Sequence, residues 1–88
     1  MDIYRLIDEG EKVEKYIEKE TYSREIFKEK GNKWINRAIA YLKENYPNSL
    51  LTDDFISESE KVDKNYGTML SILKGLKDVE EELGNLDG

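Results

Sequence analysis

The sequence contains neither cysteine nor histidine. Without thiols there is no disulfide staple, and without thiols or imidazoles the usual zinc ligands are missing, so structural zinc is excluded. The same two absences remove the Cys–His and Ser–His–Asp constellations of nucleophilic catalysis and the Glu-x-x-His motif of di-iron bundles. No glycine-rich stretch has the spacing of a phosphate or dinucleotide cradle. Apolar runs are far too short for a spanning helix or for the apolar centre of a secretory signal. Proline occurs once, at position 47, and tryptophan once, at position 34.

Charge, by contrast, is abundant: 39% of the chain is Asp, Glu, Lys or Arg, and the net charge is −6. Phosphate binding requires clustered cations that release counterions, so this balance argues against nucleic acid and against anionic membrane surfaces. With Met1-Asp2-Ile3 at the start, the chain reads as a cytoplasmic protein. Its richness in Lys, Glu, Ile, Asn and Tyr suggests an AT-rich bacterial coding sequence. The 88 residues fit one domain, 1–88. A chain of that size buries about 60 to 65% of its unfolded surface, and its stability must come from helix packing or from a partner chain.

The charges are segregated. Residues 1–20 hold seven acids and four bases, residues 21–47 three acids and six bases, and residues 48–88 ten acids and four bases. A basic middle segment between two acidic ones favours a defined helix arrangement more than it adds stability, since exposed pairs are each worth about 0 to 1 kcal/mol.

Apolar spacing predicts helices at about 2–19, 23–46 and 52/60–83. In the first, Ile3, Leu6, Ile7, Val13 and Ile17 form one stripe, and Asp2 is a ready N-cap. Gly10 lies on that stripe. Either a neighbouring helix approaches closely there, bringing a side chain such as Trp34, or the helix kinks. A turn belongs at Glu20–Ser23, with Thr21 or Ser23 as cap. In the second helix the densest periodicity is Trp34-Ile35-Asn36-Arg37-Ala38-Ile39-Ala40-Tyr41-Leu42, the segment around which the fold is expected to organise. Gly31-Asn32 could stop and restart this helix, but the phase of 27, 34 and 41 is kept across it, which favours continuity with or without a kink. Pro47 ends the helix by restricting Tyr46.

Leu50 and Leu51 then fall in a connection, where they either fold back over the core or form an exposed partner-binding pair. Thr52 or Asp53 starts a further helical turn. The last helix begins near Thr52 or Glu60 and carries Val62, Tyr66, Met69, Leu70, Leu73, Leu76 and Leu83 on its stripe. Gly84 is a natural stop, and the polar end beyond it would suit a domain cut from a longer protein.

The carboxylate pairs Glu14/Glu18, Asp54/Glu58 and Glu58/Glu60 stand among other charges and read as solvated faces, not acid–base or metal sites. The six tyrosines read first as ring-burying helix margins with wet hydroxyls. Their functional reading is a binding face in which Tyr16, Tyr22 and Tyr46 line one end of the bundle beside Leu50 and Leu51.

The spacing Trp34-x-x-x-Ala38-x-x-Tyr41-Leu42, the turn Tyr46-Pro47-Asn48-Ser49 and the later Tyr66-Gly67-x-x-Leu70-x-x-Leu73-x-x-Leu76 resemble short helical segments that precede effector domains in uncharacterised bacterial and prophage proteins. That resemblance implies an accessory helical module and assigns no functional residue.

The expectation is therefore an all-α chain folded as a small antiparallel three-helix bundle, with an extra helical turn near 52–58. Its core should hold Leu6, Val13, Ile17, Phe27, Trp34, Ala38, Leu42, Val62, Met69, Leu73 and Leu76. The expected function is a non-enzymatic protein-interaction or assembly module, binding itself as a homodimer or another chain, with no cofactor, metal, nucleic acid or membrane. The alternative is a small acidic regulatory or inhibitor domain that docks through Glu80, Glu81 and Glu82.

Overall fold

The computed structural model describes residues 2–18 and 24–87, with the side chains of 16–18, 24–28 and 84–87 left aside. Among the described residues there are four helices: α1 (Ile3–Glu18), α2 (Arg24–Asn45), α3 (Leu50–Ser59) and α4 (Tyr66–Asp87). The chain is all-helical as expected, but with four helices where three and a turn were predicted.

Local chemistry sets the boundaries. Asp2 caps α1, its carboxylate accepting the Arg5 amide at 2.9 Å, as an N-cap acid does for the third helical residue. α2 runs through Gly31 without a break, the continuous alternative. It stops at Asn45 because Pro47 bars Tyr46 from helical geometry. The Ser49 amide then closes a tight turn on the Tyr46 carbonyl at 3.3 Å. Ser49 caps α3, its hydroxyl accepting the Leu51 amide at 3.2 Å. Leu50 and Leu51 are consequently the first turn of a helix and not a loop.

The start of α4 is the largest correction. Neither Thr52 nor Glu60 opens it. Asn65 does, accepting the Thr68 amide on its side chain at 3.0 Å. Residues 60–65 form the connection, so Val62, placed in the core by its spacing to Tyr66 and Met69, is fully exposed. A periodicity continued across a cap does not extend the helix, because an Asn side chain that binds the backbone ends the helical run. Glu58, read as part of a solvated face, is buried. It accepts the Asn65 amide at 3.1 Å and the Lys61 ammonium at 2.8 Å, and so joins the end of α3 to the start of α4. The Lys61 ammonium and then the Asn65 amide hold its carboxyl below the usual range.

Successive helices pack side by side, α1 against α2 and α4, and α3 against α2 and α4. The pair Tyr4–Glu81 at 2.9 Å and the pair Glu11–Lys74 at 3.3 Å make α1 antiparallel to α4. One groove brings Asp2 to Tyr41 and Asn45, and another brings Lys12 and Val13 to Lys30 and Lys33, so α1 is antiparallel to α2 as well. α3 doubles back along α2, with Thr52 donating to the Tyr46 carbonyl at 2.7 Å and Phe55 reaching Trp34. This is the up-down-up-down arrangement of a four-helix bundle, with one short member.

Trp34 is the hub. It is 2% exposed, and its indole N–H donates to the Leu6 carbonyl of α1 at 2.8 Å. Its ring meets Phe55 of α3 edge-on and Tyr66 of α4 in a tilted stack, each with centroids 6.0 Å apart. Gly10 is the notch that admits it. A Cβ there would overlap Trp34 Cζ2 and lie 2.7 Å from both Trp34 Cε2 and Leu70 Cδ2. Of the two readings of Gly10, close approach is the one found. Gly31 does the same on α2, where a Cβ would overlap the Tyr66 hydroxyl.

Leu6, Val13, Trp34, Ala38, Leu42, Met69, Leu73 and Leu76 are buried as predicted, joined by Ile3, Ile7, Ile35, Phe55, Tyr66 and Leu70. The predicted core side chains Ile17 and Phe27, and the Glu20–Ser23 turn with its Thr21 or Ser23 cap, lie outside the described residues. Leu83, assigned to the buried stripe of the last helix, is exposed.

Candidate interaction surface

In this topology the start of α1, the end of α2, the start of α3 and the end of α4 share one end of the bundle. Side-chain hydrogen bonds gather there. From α2 and the turn after it, the Tyr41 and Tyr46 hydroxyls both donate to Oε1 of Glu80 on α4, the former at 3.1 Å. From α1, the Tyr4 hydroxyl donates to Oε1 of Glu81 at 2.9 Å. The Tyr41 and Tyr46 rings are tilted against one another with centroids 6.3 Å apart. Burial, followed by the Glu80 carboxylate, pushes the Tyr41 phenol up to about 12, and the same causes push Tyr46 higher still. The Glu81 hydrogen bond raises Tyr4. These phenols are locked as neutral donors to carboxylates, a charge-assisted and therefore strong arrangement.

Exposed apolar side chains lie at the same end as the tyrosine–glutamate contacts. The large hydrophobic residues left exposed among those described are Tyr4, Leu50, Val62, Val79 and Leu83, and all but Val62 belong to this end. Leu50 begins α3 and is 79% exposed. Val79 and Leu83 are one turn apart on α4 and share a face. Their neighbours Glu80, Glu81 and Glu82 make the end acidic as well as apolar.

The residues predicted as an interaction face divide. Tyr46 is half-buried and engaged with Glu80, so it supports the surface from beneath. Leu50 points outward, whereas Leu51 packs on the core. The Tyr16 side chain and all of Tyr22 lie outside the described residues. Sequence reasoning missed Tyr4 and Tyr41 as members. The available signal was the acidic run at 80–82, three adjacent carboxylates of which two take tyrosine donors from elsewhere in the fold.

Away from this end, the surface offers open grooves lined by solvated charges. One lies between α1 and α2 and is lined by Lys12, Lys30, Lys33 and Arg37 with Glu9. Arg37 pairs there with Glu9 at 3.3 Å, while Lys12 pairs with Asp8 at 3.2 Å and Lys33 with Glu29 at 3.3 Å. Among the described residues no cluster of carboxylates is arranged to hold a metal ion, and no helix is long and apolar enough to cross a membrane.

No family model, curated protein or solved structure matches the chain. The surface therefore has to be read on its own chemistry.

Proposed function

We propose that this chain is a non-enzymatic helical interaction or assembly module whose contact surface is the bundle end carrying Tyr4, Leu50, Val79 and Leu83. The observation that supports the reading is the gathering of those exposed side chains at one end, over tyrosines already fixed by Glu80 and Glu81. Grouped apolar and aromatic side chains within a polar rim are the composition of protein contact surfaces. The partner in the first instance is a second copy, which would cover the surface on both chains.

Light scattering coupled to size exclusion tests this across a wide concentration range. The expected result is a mass that rises with concentration towards two chains in the parent, and a monomer in Leu83→Glu. A strict monomer throughout removes the homodimer.

The acidic run favours a second reading, in which the module is a regulatory or inhibitory domain that docks on a basic surface of another protein. Glu82 is the informative probe, since Glu80 and Glu81 also hold tyrosines. Capture of a partner that is indifferent to Glu82→Lys would count against this docking mode.

A further inference from the structure

We propose that the end of α4 from Lys77 onward is a strap that opens near Gly75 and is clasped shut by three tyrosines. Three observations converge on it. First, packing stops. Leu76 is the last buried side chain of α4 among the described residues, and every described side chain from Lys77 to Leu83 is half-buried or exposed. Second, the helix is weakened where the packing stops. Gly75 sits in the helix interior with nothing within 4 Å of where its Cβ would be, so here, unlike at Gly10, no neighbour has required the residue to be small. Glycine there lowers helical stability without a packing return. Third, among the described residues the polar contacts that tie the segment to the other helices are the tyrosine hydroxyls. Tyr41 and Tyr46 hold Glu80, and Tyr4 holds Glu81. Among the described residues the ion pair of the segment, Lys77–Asp78 at 3.8 Å, lies within it.

A segment with little buried apolar surface and few tethers belongs to the low-stability end of local opening. What separates a clasped strap from ordinary fraying is cooperativity. Fraying loosens a helix residue by residue from its terminus. A strap held at Glu80 and Glu81 and free to bend at Gly75 opens as a unit, and opening uncovers the Tyr41 and Tyr46 hydroxyls. The strap therefore gates the same end described above. Its opening can be observed with no partner present, so it stands or falls independently of the contact-surface reading.

Native-state amide hydrogen exchange on the full chain tests it. The amides of 78–83 are expected to share one exchange rate, with a step to much slower exchange at 69–73. The double variant Tyr41→Phe/Tyr46→Phe keeps both rings and removes both donors to Glu80. It should speed exchange at 78–83 by on the order of tenfold or more, the scale of losing charge-assisted hydrogen bonds, with no change at 69–73. Gly75→Ala should slow exchange at 78–83. A smooth gradient from Leu83 back to Leu70, protection at 78–83 equal to that at 69–73, or a double variant that speeds both regions equally would each overturn the proposal.

Discussion

Gly10→Ala and Gly75→Ala make the same chemical change inside a helix, and the structure requires opposite outcomes. Neither glycine has a positive φ, so alanine strains the backbone at neither site. Intrinsic propensity alone favours alanine by about 1 kcal/mol in both. At Gly75 nothing opposes that gain, and the variant should be more stable by about 0.5 to 1 kcal/mol.

At Gly10 the new methyl would overlap Trp34 and stand 2.7 Å from Leu70 Cδ2, against an optimal carbon–carbon separation of about 3.5 to 4 Å. The indole has to move by about 1 Å. It cannot do so freely, being held by the Leu6 carbonyl at 2.8 Å and by the rings of Phe55 and Tyr66. Overpacking costs about 1 to 3 kcal/mol, and a buried N–H pulled from its acceptor about 1 to 3 more. Less the propensity gain of about 1 kcal/mol, the net loss is about 1 to 5 kcal/mol. For a domain this size that lowers the melting temperature by about 5 to 25 °C. Urea unfolding followed by circular dichroism and by the single tryptophan's fluorescence measures both variants against the parent. A Gly10→Ala protein as stable as Gly75→Ala would refute the seating of Trp34 on α1.

Three further outcomes follow from named contacts. Glu58 has a carboxyl held below its usual range, so its contribution is present above the unfolded value of about 4.3 and is lost as pH falls through the lower folded value. Glu58→Gln should therefore destabilise the protein at pH 7 by urea titration, and its deficit against the parent should close below about pH 4. The raised phenols of Tyr41 and Tyr46 have the opposite sign: their contribution is full below pH 10 and is lost as pH rises through about 12 for Tyr41 and higher still for Tyr46. Absorbance at 295 nm should show the Tyr41 and Tyr46 phenols titrating well above the ordinary tyrosine value of about 10 in the folded protein, and no such phenols in 8 M urea. Thr52 is buried and donates to the Tyr46 carbonyl, which also accepts the Ser49 amide. Thr52→Val keeps the shape and leaves that acceptor one donor, so the loss should be near 1 kcal/mol by urea unfolding, at the lower end for a buried hydrogen bond.

Trp34 at the centre, Gly10 facing it and an uninterrupted α2 were all legible in the sequence, because each follows from apolar spacing plus the volume of one large side chain. The misreadings cluster between Ser49 and Asn65. There the deciding interactions are polar and local: the Ser49 hydroxyl, the Asn65 side chain and the Glu58 carboxylate each bind a backbone amide. Hydrophobic periodicity is blind to such bonds, so Leu50 looked like loop, Val62 like core and Glu58 like solvent. The candidate surface was half legible. Leu50 could be singled out as an unusual leucine, whereas Tyr4 joins it only once α1 and α4 lie antiparallel, a fact of topology with no local signature.

The seating of Trp34 is the claim on which the rest of the packing depends, and one proton reports it. As the chain has a single tryptophan, its indole N–H gives a single resonance in a proton–nitrogen correlation spectrum. Donated at 2.8 Å to a buried Leu6 carbonyl, that proton should exchange with solvent only through global unfolding. Its protection should match the stability from urea titration and fall in step with it in Gly10→Ala. Exchange within the first minutes in heavy water, from a protein that is otherwise folded, would mean that the indole is not held in the notch at Gly10.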